Sequence, residues 1–289
     1  MTLWLARTVL DRAAHRRNDP EWIAKAWKRA RVIVVDPTTG HVPVVGDPPR
    51  LAFVAADDAP EGERLFLGGE EEPYFAVAGP VPGGAGLREV GAKLSEFEAD
   101  VLTVAVALSR WHLDHRFSFA SGRPTELSAA GWERRDGDTV LWPRTDPAVM
   151  VLITDGADRC LLARGVGWPE KRFSCIAGFV EPGESAEAAA RREVAEEVGV
   201  TIDALDYVAS QPWPYPRSLM LAYEAVADPA EPIVPQTDEI AEARWFDRAD
   251  IADAVAGRPA PLLSSITISI SRFLLERWLA EGTGSAHRA

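Results

Sequence analysis

Residues 178–200 read GFVEPGESAEAAARREVAEEVGV, and the acids in this stretch constrain the fold more than any other feature of the chain. Glu193, Glu196 and Glu197 stand at i, i+3 and i+4, so on a helix they share one face. Like charges at that spacing repel, so a packed helix that keeps three of them needs a reason, the simplest being a divalent cation held between them. The flanks predict such a helix. Ser185 is a suitable N-cap, 186–198 is rich in good helix formers, and Gly199 fits the left-handed residue that ends it. Gly178 and Gly183 bracket a preceding loop, where glycine tolerates backbone angles other residues avoid. Ala189, Val194 and Val198 can face a core while the acids face a cleft. Hard oxygen ligands with positions left for water and phosphate suit Mg2+ or Mn2+. On charge alone the alternative is a solvated helix whose acids pair with Arg191 and Arg192.

The complete pattern is more specific. Gly178, five residues, Glu184, seven residues, then Arg192-Glu193-Val194-Ala195-Glu196-Glu197-Val198-Gly199-Val200 resembles the Nudix box at every fixed position. The resemblance implies metal-assisted attack of water on phosphorus in a nucleoside diphosphate linked to another moiety. By match to the motif, Glu193 and Glu197 would be metal ligands, and Glu196 a ligand or the group that orients the water. Arg192 would hold a glutamate by a charge-assisted hydrogen bond. Glu184 would support the loop–helix geometry or bind a further ion, and the carbonyl of Ala177 is a further candidate ligand. The chemistry needs such parts: cations neutralise an anionic pyrophosphate and lower the pKa of bound water. No Ser-His-Asp or Cys-His signature points to a covalent nucleophile.

Ten residues past the box the chain reads SQPWPYPRS, from Ser210 to Ser218. Pro212, Pro214 and Pro216 alternate and predict a stiff, extended strip that presents Trp213 and Tyr215 among Gln211, Arg217 and two serines. Flat rings on a stiff strip suit stacking on a base or a nicotinamide; a plain Pro-rich surface turn is the other reading. The strip resembles the SQPWPFPxS signature of the NADH pyrophosphatase subfamily, with Tyr215 in place of Phe. That implies hydrolysis of NADH or NAD+ to NMN(H) and AMP, extending to removal of NAD caps from RNA. The resemblance also makes Glu239 a further metal ligand, with Glu242 as runner-up. It sets Phe179 against the nicotinamide, core packing being the alternative, and puts Ser271 in contact with substrate.

In one region the chain departs from this subfamily. Relatives carry a four-cysteine zinc ribbon between the two halves. Here His115-Arg116-Phe117-Ser118-Phe119-Ala120-Ser121-Gly122 resembles its first knuckle with serine for both cysteines, and 131–140, where the second should lie, has none. Serine does not hold zinc as thiolate does, so no structural zinc is expected. The ribbon's shape would rest on packing of Trp132 and Trp142, or the region is reduced to a connector. Trp142 also replaces a tyrosine that contacts substrate in relatives. His112, Asp114 and His115 could form a metal pair but read better as hydrogen-bonded connector residues. The chain's two cysteines, Cys160 and Cys175, read as small buried hydrophobes in a reducing compartment.

Asp and Glu number 44 against 31 Lys and Arg, a net charge of −13 that excludes indiscriminate coating of nucleic acid. RNA could still use a local basic patch such as Arg164, Lys171, Arg172 and Arg217. No apolar run reaches membrane length, and the Arg-rich start reads as folded protein, so a cytoplasmic location is expected. The coarse pattern gives strands at 31–35, 51–54, 65–67 and 74–77, a helix over 94–111, a strand pair at 148–154 and 159–162 turning at Asp155-Gly156, and a closing helix over 266–280. The expected class is α/β (α+β): an N-terminal α+β domain (1–111), a degenerate zinc-ribbon-like connector (112–145), a catalytic Nudix α/β/α sandwich with a mixed sheet (146–282) and a disordered tail (283–289). The resemblance implies a homodimer. The first functional reading is NAD(H) diphosphatase. The alternatives are a Nudix pyrophosphatase for another substrate such as ADP-ribose, against which SQPWPYPRS speaks, and a non-catalytic module that senses NAD or ADP-ribose, which has no need of three clustered glutamates.

Overall fold

A computed structural model describes residues 3–6, 8–263 and 265–282; the tail expected over 283–289 lies outside them. The chain divides into two compact units. One contains 5–145 together with 212–217, the other 1–4, 146–211 and 218–289.

In the first unit, α1 (Pro20–Trp27) starts at Asp19, whose side chain accepts from the Trp22 N–H, with proline at the first helical position. The strands β1 (Arg31–Val35), β2 (Val44–Val45), β3 (Arg50–Leu51), β4 (Val54–Ala55), β5 (Arg64–Gly68) and β6 (Tyr74–Ala78) follow. Four of them form a sheet in the order β4-β1-β6-β5, with β1 and β6 parallel. The run expected as one strand at 51–54 is split: Leu51 pairs back with Val44 in the β2–β3 hairpin, while Val54 pairs with Val32. A short α2 (Leu87–Val90) leads to α3 (Glu96–Asp114), which opens on a reciprocal Ser95–Glu98 capping box. Asp100 of α3 is buried and fully used: it accepts from the Val9 and Leu10 N–H groups and from Arg12.

The connector keeps a small three-stranded sheet, β7 (Glu126–Ser128), β8 (Glu133–Asp136) and β9 (Thr139–Leu141). A carboxylate stands where a metal-held knuckle would need thiolates. Ser121 donates to Asp136, and Arg123 pairs with the same carboxylate at 2.7 Å. The Ser121 hydrogen bond and the Arg123 charge hold the Asp136 carboxyl below its usual pKa. Trp132 donates from its indole N–H to the Phe66 carbonyl at 2.7 Å and lies under the Arg17 guanidinium. Trp142 does not pack this way; it is 65% exposed. His112 makes no metal pair either. Its Nε2 faces the Gly131 carbonyl and its Nδ1 the Arg134 guanidinium, both at 2.8 Å. Burial pushes its pKa down to about 4, so the ring is neutral and accepts from Arg134. His115 stacks on Trp111, and Asp114 pairs with Arg217.

The second unit is built on β10 (Asp146–Thr154), β11 (Arg159–Gly165), β12 (Ile176–Phe179), β13 (Leu205–Trp213), β14 (Ser218–Val226) and β15 (Ile240–Asp247). Its main order is β13-β14-β10-β11-β15. β10 pairs in parallel with β14 from end to end. Its other edge is shared: residues 148–151 pair with β12 and 153–154 with β11. α4 (Ala186–Val198) covers one face through Ala189, Ala190, Val194 and Val198 against Val149, Val151 and Ile176. α5 (Arg248–Val255) and α6 (Ile270–Glu281) cover the other, with Ile251, Leu274, Leu275 and Trp278 against Leu152, Leu162 and Phe246. This is the expected three-layer sandwich with a mixed sheet. Each valine fully buried on α4 contributes about 1.5–3 kcal/mol. Among the described residues no helix is long and apolar enough to cross a membrane.

The Asp136 clasp has a clear test. A carboxyl with a lowered folded pKa stabilises above its unfolded pKa, and that stability is lost as pH falls through the folded value. Asp136→Asn is therefore expected to speed amide hydrogen exchange across 117–141 at pH 7 and to match wild type at acid pH. Equal exchange at pH 7 would show that the clasp holds nothing.

Candidate active site

α4 forms where its sequence predicts. Ser185 Oγ accepts from the Ala188 N–H at 3.1 Å, and Gly199 closes the helix at φ 72°. A side chain at 199 would also meet Val234, whose Cβ would lie 2.9 Å away. Gly183 has a positive φ of 93°, as a tight loop requires. Gly178 differs from the sequence expectation. It lies within β12, and its reason is close approach: a Cβ there would sit 1.9 Å from the Glu193 carboxyl carbon. Glu193 rests directly on the strand's backbone.

Arg192 organises the acids. Its Nε and Nη2 donate to the two Glu184 oxygens at 2.7 and 2.9 Å, a bidentate pair. Nη1 donates to Glu193 and Glu196, both at 2.9 Å, and Nη2 reaches the Phe179 carbonyl at 2.9 Å. Arg192 and the Glu181 N–H keep the Glu184 carboxyl below its usual pKa. Glu184 is thus a brace between loop and helix.

Glu197 is the most enclosed acid, 8% exposed, with no side-chain hydrogen bond or ion pair among the described residues. Burial pushes its pKa up to about 8, and the Glu193 and Glu239 charges add to the rise. Burial also raises Glu193, against the pull of Arg192. Glu239 arrives from the turn before β15. That turn is stitched to the end of α4: the Val234 N–H donates to the Val198 carbonyl at 2.8 Å and the Gln236 N–H to the Glu197 carbonyl at 3.0 Å. These bonds also satisfy helix-end carbonyls. The runner-up Glu242 lies on β15 and pairs with Arg164 and Arg244.

One cleft of about 700 Å3 takes in Ala177, Gly178, Phe179, Arg192, Glu193, Glu196, Glu197, Ser218 and Glu239. Gln236, Met220, Ala148 and Glu181 also line it, and none of these was marked in the sequence. Met220 and Ala148 were hidden because they are ordinary strand residues, paired with each other across β14 and β10. Among the described residues no three His, Cys, Asp or Glu groups already close on a common point, since Arg192 draws Glu193 and Glu196 toward itself. The donor set nonetheless fits a hard divalent cation. Glu193, Glu197 and Glu239 line one cleft; burial first, and then neighbouring acid charge, raises the pKa of Glu193 and Glu197, and the deepest, Glu197, has no ion-pair partner among the described residues.

Several expected contacts are placed elsewhere. Gln211 is fully buried and its amide is committed: it donates to the Trp4 and Ile268 carbonyls and accepts from the Ile270 N–H. Nothing is left for a substrate. Ser271 is likewise buried, bonded to Ser174, Ser265 and Cys175. Both fix α6 rather than face the cleft. The proline strip is not extended throughout. β13 ends at Trp213, Pro214 to Arg217 form the turn, and β14 resumes at Ser218. Residues 212–217 group with the N-terminal unit. There Tyr215 accepts through its hydroxyl from the Leu87 N–H at 3.2 Å, with Arg88 and Arg110 over its ring. Trp213 meets Tyr215 edge-on and lies near Arg88. Phe179, by contrast, is 55% exposed, so core packing does not explain it.

A family profile described as the NUDIX domain matches residues 144–265. The chain is 39% identical over 295 aligned positions to a Mycobacterium bovis protein named NAD-capped RNA hydrolase NudC, covering 96% of this chain and 94% of that one. It is 36% identical over 213 positions to the human mitochondrial protein named NAD(P)H pyrophosphatase NUDT13, covering 69% of this chain and 60% of that one. Among solved structures, a NUDIX hydrolase from Nitrosomonas europaea aligns with a TM-score of 0.46 at 17% identity, over 60% of this chain and 96% of that one. The acid-bearing helix, its arginine brace and the near full-length identity agree: the chain belongs to the Nudix hydrolases, in the NADH pyrophosphatase subfamily.

Proposed function

We propose that the protein hydrolyses the pyrophosphate bond of NAD(H) to NMN(H) and AMP, and that it removes NAD caps from RNA. The observation that carries this reading is the convergence of Glu193, Glu196, Glu197 and Glu239 on one cleft, with Glu197 buried and, among the described residues, unpaired. Glu193, Glu197, Glu239 and the Ala177 carbonyl are the groups that would hold magnesium or manganese. Such ions neutralise the pyrophosphate and lower the pKa of bound water.

The chain's own residues supply the rest. Arg192 fixes Glu193 and Glu196 in one fork, so the acids cannot drift apart. Glu196 has the most exposed side chain of the three helix acids, which supports a role in orienting the attacking water. Phe179 supplies a ring face for base or nicotinamide and Ser218 a hydroxyl at the cleft wall; the SQPWPYPRS signature is what supports Trp213 as a stacking ring. Comparing turnover of NADH, NAD+, ADP-ribose and NAD-capped RNA tests the assignment. Preferential cleavage of ADP-ribose would replace it.

Three variants probe its parts. A carboxyl that titrates near 8 in the fold, against its ordinary 4.5, favours the neutral form. Its cost to the fold therefore grows as pH rises from 4.5 to about 8. Glu197→Gln should raise the metal-free Tm at pH 8 by about 2–4 °C and leave it unchanged at pH 4. The same change should cut kcat by roughly 100-fold or more. Unchanged turnover would remove Glu197 from the mechanism. Gly178→Ala must displace the Glu193 carboxyl, and Mn2+ affinity should drop roughly 10–100-fold in a calorimetric titration. An unaltered titration would mean that Glu193 binds no ion. For Trp213→Ala, loss of a stack worth about 1–3 kcal/mol predicts a KM for NADH raised by one to two decades at constant metal affinity; an unchanged KM would end the stacking role.

A further inference from the structure

The loop 166–172, Val-Gly-Trp-Pro-Glu-Lys-Arg, begins beside the cleft without lining it. The Val166 N–H donates to the carbonyl of Glu239 at 2.8 Å, so the loop starts from the turn that carries a cleft carboxylate. Further backbone bonds give it a fixed shape: Trp168 N–H to Gly165, Arg172 N–H to Pro169, and Leu263 N–H to the Lys171 carbonyl at 2.7 Å.

On this loop Trp168 is 43% exposed. Its indole is nonetheless supported. The Gly165 backbone packs against the ring, where a Cβ would lie 3.2 Å from it, and the Arg172 guanidinium sits 5.5 Å from the ring centroid. Lys171 and Arg172 are exposed, and neither has an ion-pair partner among the described residues. In a chain of net charge −13, Lys171 and Arg172, the latter against the steadied aromatic, outweigh the single exposed acid of the loop, Glu170, and give a basic local surface. Of the basic residues that the sequence groups as a candidate RNA patch, these two are the uncommitted ones, since Arg164 pairs with Glu242 and Arg217 with Asp114.

An aromatic face with adjacent cations is the chemistry that takes unpaired nucleotides: bases stack and phosphates pair. A dinucleotide seated in the cleft does not need Trp168, because Trp168 is not part of the lining. The loop that bears it leaves the Glu239 turn at Val166, so a strand that left the cleft on the Glu239 side would run along this loop. We propose that Trp168, Lys171 and Arg172 form a platform for the first unpaired nucleotides of a capped RNA, and so set preference for capped RNA over free dinucleotide. The preference rests on the activity proposed above; binding of the RNA strand by the platform does not.

The test pairs catalysis with direct binding. Trp168→Ala should lower kcat/KM on NAD-capped RNA with an unpaired 5′ end by roughly 10–100-fold, the worth of one stacked base, and leave NADH turnover within about 2-fold. Trp168→Phe should recover most of the loss. Replacing Lys171 and Arg172 by Gln should lower the slope of log affinity against log salt by about 1.4 for a single strand. Fluorescence anisotropy of an uncapped single-stranded oligoribonucleotide reads the platform independently of turnover. Weaker binding by Trp168→Ala supports it even in a protein that cleaves no NAD derivative, an outcome that would sink the activity instead. Equal losses on NADH and capped RNA, or unchanged anisotropy in both variants, would overturn the platform. So would capture of a protein partner through this loop with RNA binding unaffected.

Discussion

Mutual repulsion of carboxylates in a partly dry cleft is the constraint around which the catalytic unit is arranged. Burial, joined by the charges of neighbouring acids, makes Glu193 and Glu197 harder to ionise, and Glu239 is one of those neighbours for both. Such a cluster survives only if the scaffold over-determines it. Arg192 supplies five donor contacts, four to carboxylate oxygens and one to a carbonyl. Gly178 removes the atom that would keep Glu193 off the strand. The backbone stitches from Val234 and Gln236 to the end of α4 place Glu239 against Glu197. The core beneath is rigid for an ordinary reason, small apolar side chains of α4 interlocked with valines of the sheet.

Much of this site was legible before any coordinates, because its logic is local. The helix, its Ser185 cap and its Gly199 terminus are all set within one short stretch, and the i, i+3, i+4 spacing fixes which acids share a face. Contacts that depend on distant segments were not legible. Gln211 sits in a segment that reads as substrate-binding, yet its amide is spent on residues 4, 268 and 270. Ser271 is held in the same way. The role of Gly178 was hidden because it depends on a side chain fifteen positions further on. In the N-terminal unit the run at 51–54 reads as one strand but is divided between two pairings. α1 went unmarked although its Asp19-Pro20 opening carries an ordinary start signal.

The proline strip shows how a sequence signature can mix roles. Its alternation suggests a uniform stiff ribbon, but the chain uses it as a strand end and a tight turn. Tyr215 has its hydroxyl on a backbone amide and its ring between two arginines. That makes it an anchor for the turn, with Trp213 packed edge-on against it.

The connector bears on how this enzyme behaves in poor surroundings. A knuckle closed by Ser121, Arg123 and Asp136 offers no thiolate to oxidise or to hold zinc. A chelator would therefore act on the ions proposed for the cleft and leave in place the hydrogen bond and ion pair that close 117–141. Inhibition by such reagents then reports on chemistry alone, and activity should return in full when the ions are restored.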